Sequence, residues 1–463
     1  MIPQQRLADA AQRFGGTLLN PDCHFDSVSI NSRTIKEGDL FVALVGDRFD
    51  AHQFLPQAAA VASGLVVSKA DKSLPLPQWV VEDTTVALGQ IAQLRREAFE
   101  GPVIAITGST GKTSVKEMTA SILRQSASVH ATAGNLNNHV GVPLTLLSMD
   151  SEIEYAVVEM GASAGGEIGY LCSIASPDIA LINNVQSSHI EGFGSVEAVA
   201  AAKGEIYSGL KAAGIAILNL DQPWCDQWRE LIDGRPSLTF SVSDAAADIS
   251  ASQIEVMANG CCKFSLRVNL LSDQPPLEQS VELSIPGTHA VENAVAASAC
   301  ALAAGANLQQ IAAGLAQVSP ISGRLEIKPL ANNSAVIDDS YNASPSSFRA
   351  AIDVLANRAG RKIVVMGDMG ELGDDSVNMH AGVGSYALEA GIDALYAVGE
   401  LSASACAAFG GNHFQSKDLL VEALEQELAR ANAGRLPLTF LVKGSRSAGM
   451  ENIVEHLITR GNT

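Results

Sequence analysis

The sequence predicts an α/β protein of three domains, and three observations carry that expectation. At 463 residues, 47% of them apolar, the chain holds more hydrophobic material than one core usually organises. Short apolar runs alternate with helical patterns in the βαβ manner, which implies parallel sheets covered by helices. Two punctuations, Gly101-Pro102 and Ser319-Pro320-Ile321-Ser322-Gly323, divide that alternation.

Residues 1–100 are expected to form a small N-terminal α/β domain. From Asp39 they run DLFVALV, HQFLPQAAAVA, GLVVSK and QWVVED, and end in the helical TTVALGQIAQLRREAFE. Residues 101–319 form the central domain, where PVIAIT, the helix KTSVKEMTASILRQ, YAVVEM, DIALINN and GIAILNL build a parallel sheet. Between Pro236 and Pro286 the runs LTFSVS, ISASQIEV, CCKFSLRVNLL and QSVELSI alternate with period two, so an antiparallel insertion is expected there. Two helical stretches follow Gly287. Residues 320–463 resume the α/β rhythm with AVIDDS, RKIVVMG, DALYAVG and LTFLVKG, a C-terminal domain of doubly wound, Rossmann-like type.

Lys and Arg total 30 against 50 Asp and Glu, and the net charge of −20 repels a phosphate backbone at long range. No nucleic acid partner is expected. Small anionic substrates remain open, because a helix N-terminus and a few placed cations make a local positive pocket. Seven scattered cysteines without a C-x-x-C pair fit a reducing compartment. No basic start with a following apolar run opens the chain, and the most apolar stretch, residues 290–306, contains Glu292 and Asn293. A soluble, cytoplasmic protein without a transmembrane segment is expected.

The strongest local signal is Thr107-Gly108-Ser109-Thr110-Gly111-Lys112-Thr113, between an apolar strand and an amphipathic helix. Glycines let successive N–H groups turn toward phosphates, the helix N-terminus adds positive charge, Lys112 neutralises phosphate oxygens, and the Thr113 hydroxyl suits Mg²⁺. Ile106 stands where the strict eight-residue motif has glycine, so the match is to a shorter T-G-x-x-G-K-T form. The base-reading lookalike Ser68-Lys69-Ala70-Asp71 lies upstream of the loop, against a GTPase.

Three further residues stand out. Glu159 ends the apolar strand YAVVEM, at the sheet edge where ligands bind, as a Mg²⁺ ligand or a solvated strand-end glutamate. His189 follows DIALINN in a loop, as a metal ligand or an ordinary surface histidine. On the helix expected from Val196 to Leu210, Lys203 shares an apolar stripe with Val199, Ile206 and Leu210. A lysine there snorkels, pairs with a carboxylate or is chemically altered.

Together these segments resemble the Mur ligases, ATP-dependent amide-bond-forming enzymes that include folylpolyglutamate synthetase. The resemblance covers essentially the whole chain, and its markers are TGSTGKT, GNLNNHVGVP from Gly134, VVEMGA, SSHIEGFGS and AAAKGEI. The resemblance implies ATP and two Mg²⁺ as cofactors. Gly108, Ser109, Thr110, Gly111, Lys112, Thr113, Asn293, Arg324 and Asp339 would meet ATP, with Asp338 the competing choice for Asp339. Thr113, Glu159, His189 and a carbamylated Lys203 would hold metal, and Lys112, Glu159, His189 and Lys203 would serve catalysis. Substrate contacts are implied at Asn135, Asn137, Asn138, Tyr341, Asn342, Lys443, Ser445 and Arg446. In the first domain Asn31-Ser32-Arg33 resembles a UDP-binding segment, which places Ser32 and Arg33 at the substrate. Asn31 and Ala51 stand there where the family usually has aspartate and glycine.

DDSYNASPSS, GDMGELG with His380 following, and LVKGSRSAGMENIV are similar to the branch that adds D-alanyl-D-alanine to UDP-N-acetylmuramoyl-tripeptide. No D-N-P-R box of the diaminopimelate-adding branch occurs. The resemblance implies an acid–amino-acid ligase of peptidoglycan precursor synthesis, monomeric, with small-molecule partners. The alternatives are another Mur-type or folylpolyglutamate-type ligase, and a phosphate-loop nucleotide-binding switch.

Overall fold

A computed structural model describes residues 5–186, 190–270 and 275–461. Three sheets organise the chain. The first holds Thr17–Leu19, Gln78–Val80, Gly64–Val67, Asp39–Val42 and Ser27–Ser29 in that spatial order, parallel except for the edge strand Thr17–Leu19. The two outer strands lie in polar segments without a periodic apolar run, which is why they are not evident before Asp39.

The central sheet has nine strands. Val103–Thr107 lies between Tyr155–Glu159 and Ile179–Ile182, all parallel, and every residue of Val103–Thr107 is buried. Such a strand reads as continuous apolar sequence because helices cover both its faces. The antiparallel part is smaller than expected and extends this same sheet. LTFSVS supplies Ser237–Ser241, which runs parallel to Ile215–Asn219. The helix Cys225–Ile232 carries the chain back across the sheet between them, and a helical crossover returns a strand parallel. Only Ile249–Val256, Cys261–Val268 and Leu277–Pro286 pair antiparallel.

The apolar stretch after Gly287 is the helix His289–Ala303, sunk against the phosphate-loop helix Lys112–Leu123. Among the described residues no helix is long and apolar enough to cross a membrane. The helix Val196–Ser208 stops two residues short of Leu210, and its N-cap is Ser195, whose side chain accepts from Ala198 N.

The third sheet runs Glu326–Pro329, Ala335–Asp339, Leu438–Lys443, Arg361–Gly367, Ala394–Val398 and Asn412–Phe414, parallel but for its first strand. Its apolar clusters contain only residues beyond 320. By contrast one continuous core joins the first sheet to the central one, from Leu7, Trp79 and Ile91 through to Val158 and Trp228.

At that junction Arg96, 3% exposed, donates to the carbonyls of Ala175, Ser176 and Phe99 and pairs with Asp178 at 2.6 Å. Arg96→Ala leaves the three carbonyls short of a donor while Asp178 keeps Lys211 at 2.8 Å and the Val103 N–H at 2.9 Å, and a loss of about 1–3 kcal/mol is expected. Calorimetric unfolding of the variant measures it, and an unchanged melting temperature would contradict this account.

Candidate active site

Chain geometry makes the phosphate loop before any side chain acts. The strand Val103–Thr107 ends at Gly108 and the chain enters the helix Lys112–Leu123 through Gly111, whose φ of 75° lies in the left-handed region. A Cβ at position 111 would sit 2.4 Å from Asn293 Oδ1 and 2.6 Å from Asn183 Nδ2. Conformation and space therefore both demand glycine. The free N–H groups and dipole of the following helix favour an anion at this point.

Lys112 Nζ donates to the Gly108 carbonyl at 2.8 Å and the Ser109 carbonyl at 3.3 Å. Burial holds this ammonium below the ordinary lysine range, with Glu159 opposing the shift and Arg324 adding to it. Glu159, 2% exposed, accepts from Thr113 Oγ1 at 2.9 Å and from Asn137 Nδ2 at 2.7 Å. Its backbone N–H donates to Thr132 Oγ1 at 3.0 Å, and the Thr132 carbonyl accepts from the buried Lys116 Nζ at 2.6 Å. The strand end is thus held from both its side chain and its main chain.

The loop after Ile179–Ile182 braces the phosphate loop in a way the sequence did not disclose. Ser109 N donates to the Asn184 carbonyl and Thr110 N to Asn184 Oδ1, each at 2.9 Å. Asn183 Nδ2 donates to the Thr110 carbonyl at 3.0 Å and to Asn293 Oδ1 at 2.9 Å. The available signal was the pair of asparagines at the carboxyl end of DIALINN, beside the phosphate-loop strand in a parallel sheet.

A cavity of about 1140 Å³ brings this loop opposite the third domain. Ser109, Thr110, Gly111, Lys112, Thr113, Glu159 and Asn293 line it, with Asn135, Asn137 and Asn138. Across it stand Arg324, Asp339, Tyr341, Asn342, Lys443, Ser445 and Arg446. Strand alternation sends the two aspartates to opposite faces. Asp339 pairs with Lys443 and its Oδ1 accepts from Leu325 N at 3.1 Å, whereas Asp338 pairs with Lys328 at 2.9 Å and does not line the cavity. Burial presses both Asp339 and Lys443 toward their neutral forms, and their mutual contact opposes it. The Arg324 guanidinium lies 4.3 Å from the centre of the Tyr341 ring, within cation–π range.

Other expected residues lie elsewhere. Gly108 shapes the loop without lining the cavity. Ser32 and Arg33 sit in the first domain, away from the cavity lining, with Ser32 Oγ 3.5 Å from Gln57. His189 lies outside the described residues. Lys203 is 2% exposed and also outside the lining. Among the described residues it has no hydrogen-bond or ion-pair partner, and burial, with Lys112 second, holds its amine well below the ordinary lysine value. His380 is fully buried and braces its own loop, Nε2 accepting from Met369 N at 2.9 Å and Nδ1 donating to the Ser376 carbonyl at 2.7 Å.

Comparison with known proteins follows the same lines. The family profile "Mur ligase middle domain" matches residues 106–301, and "Mur ligase, glutamate ligase domain" matches residues 323–446. The chain is 43% identical over 456 residues to the UDP-N-acetylmuramoyl-tripeptide–D-alanyl-D-alanine ligase of Escherichia coli (strain K12), covering 98% of each. Among solved structures, crystal structure I of MurF from Acinetobacter baumannii superposes with a TM-score of 0.90 at 35% identity, covering 99% of this chain and 100% of that one. The MurF ligase of Thermotoga maritima in complex with ADP gives 0.81 at 27% identity, covering 94% and 97%.

Gly111→Ala combines left-handed strain with the collision against Asn293 and Asn183. Strain of about 1–3 kcal/mol alone predicts a loss of nucleoside triphosphate affinity near tenfold or more. Isothermal titration measures this, and unchanged affinity would mean that this loop does not seat the phosphates.

Proposed function

The chain belongs to the Mur ligase family, and from that membership we infer that it joins D-alanyl-D-alanine to UDP-N-acetylmuramoyl-tripeptide at the expense of ATP, in peptidoglycan precursor synthesis. The observation that carries the inference is one cavity in which the phosphate loop faces Arg324, Asp339 and Lys443 of the third domain. A nucleotide switch has no need of a second domain built around a buried ion pair at its phosphates.

We propose a division of labour in which residues 1–100 hold the UDP-sugar through Ser32 and Arg33, residues 101–319 hold ATP, and residues 320–463 close over it and receive the dipeptide. A carboxylate is a poor acyl donor because oxide would have to leave. An oxygen of the tripeptide's terminal carboxylate attacks the γ-phosphorus, the bond to the β,γ-bridging oxygen breaks, and ADP departs from an acyl phosphate. The dipeptide amine then adds to the acyl carbon, and the tetrahedral intermediate expels phosphate while the amine loses a proton. Lys112 and Arg324 lie where they offset charge on the transferring phosphoryl group, and the N–H groups of residues 109–113 hold the adjoining phosphates. Asn135, Asn137 and Asn138 on one wall and Tyr341, Asn342, Ser445 and Arg446 on the other place the two substrates. Asn293 meets the nucleotide from the helix that packs on the loop.

The Thr113 hydroxyl and Glu159 carboxylate, 2.9 Å apart, are the hard oxygen donors that Mg²⁺ favours. With His189 they would hold the cation, which when bound supplies charge neutralisation on phosphate oxygens. Lys203 suits a second such site through carbamylation. Its buried amine, without a partner among the described residues, is pushed toward the neutral form, the form whose lone pair adds to CO₂ with release of a proton. That position then carries a negative charge in place of a neutral amine. The monomeric state belongs to the same proposal.

Phosphate release measured with UDP-N-acetylmuramoyl-tripeptide is expected to require D-alanyl-D-alanine for turnover, and release indifferent to the dipeptide would sink the ligase assignment. Lys203→Ala is expected to lose at least about a hundredfold in kcat, a loss of ~2.7 kcal/mol of transition-state stabilisation, and to regain part of it with added short carboxylic acids. Full activity without rescue would return Lys203 to a structural role.

A further inference from the structure

Gln186 touches both halves of the cavity and belongs to neither residue set assigned so far. Its backbone N–H donates to Ser109 Oγ at 2.9 Å, and its carbonyl lies 3.2 Å from that hydroxyl. The residue is therefore fastened to the phosphate loop. Its side-chain Oε1 lies 3.3 Å from Thr110 Oγ1 on the same loop and accepts from Ser346 Oγ. Ser346 stands in the first turn of the third-domain helix Pro345–Ala356, just after its N-cap Ser344. Between described residues, this is the hydrogen bond that crosses from residues 101–319 to residues 320–461.

The Thr110 hydroxyl has one proton and two amide acceptors at similar distance, Asn184 Oδ1 at 3.2 Å and Gln186 Oε1 at 3.3 Å. A phosphate oxygen seated in the loop is a charged acceptor and outcompetes either amide, because hydrogen bonds to charged groups are the stronger ones. Once Thr110 turns to phosphate, Gln186 Oε1 is left to Ser346 alone.

We propose that Gln186 is a positioning residue that couples occupation of the phosphate loop to seating of the third domain, by sharing its amide oxygen between Thr110 and Ser346. The coupling is reciprocal: a seated third domain engages Gln186 Oε1 through Ser346 while Thr110 Oγ1 stays 3.3 Å away, and an oxygen that already accepts one bond accepts a second more weakly, which releases the Thr110 proton to the nucleotide. This rests on the assignment of the loop to ATP and of the third domain to closure.

The test is a double-mutant cycle on the full-length enzyme with Gln186→Ala, Ser346→Ala and the pair, and with Ser346→Thr, which keeps the hydroxyl. Wild-type phosphate release dependent on D-alanyl-D-alanine is measured first. Its absence refutes the ligase assignment, and its presence leaves this proposal to the variants. Each alanine variant is expected to raise KM for ATP about three- to tenfold, as for one lost hydrogen bond. The melting temperature stays at the wild-type value. The double variant is expected to be no worse than either single one, and Ser346→Thr to lie within about twofold of wild type. Multiplying effects in the double variant, unaltered KM for ATP in the single variants, or a threonine variant as impaired as the alanine one would each overturn the proposal.

Discussion

Everything in this molecule is arranged by the requirement that two parallel sheets end on one shared gap. A parallel sheet buries both faces and has only its strand ends to offer a ligand. Glu159 and the phosphate loop occupy such ends on one side, and Asp339 and Lys443 on the other. Polar and charged groups therefore gather in one place while the sheets behind them stay apolar. Three buried lysines illustrate the physics. Lys112, Lys203 and Lys443 are each pressed toward neutrality by burial, and their charged form is tolerable only near an anionic partner or an arriving anion.

How much of this the sequence discloses depends on the range of the interaction. The phosphate loop is legible because its glycines, lysine and threonine act within seven consecutive residues and between a strand and a helix whose patterns are unmistakable. Lys203 is legible because helical spacing alone puts it on the buried stripe. Asn183, Asn184 and Lys116 are not, since their work is to reach other segments: the Thr110–Asn184 bond spans 74 positions. Nothing local distinguishes such an asparagine from one that merely ends a strand.

Two further cases mark the same boundary. Asp338 and Asp339 are indistinguishable by residue type, and only the pleat decides that one faces Lys443 and the other Lys328. LTFSVS shares its period-two pattern with the strands after it, yet runs parallel because a helix precedes it. Periodicity reports which face of a strand is buried and is silent about its direction. Family resemblance carried the site residues that local physics left ambiguous, and the cavity then grouped most of them while leaving Ser32 and Arg33 in a separate domain.

The core that runs unbroken from the first sheet into the central one has a mechanical side. Considered as a linkage, the chain comprises two bodies and not three, because Leu7, Trp79 and Trp228 belong to one packed mass while the third sheet keeps its apolar clusters to itself. A linkage of two bodies joined at one place has far fewer relative orientations to search than a chain of three loose beads. Changing the spacing of groups on the larger mass would have to break its shared apolar packing, which reseating the third sheet does not.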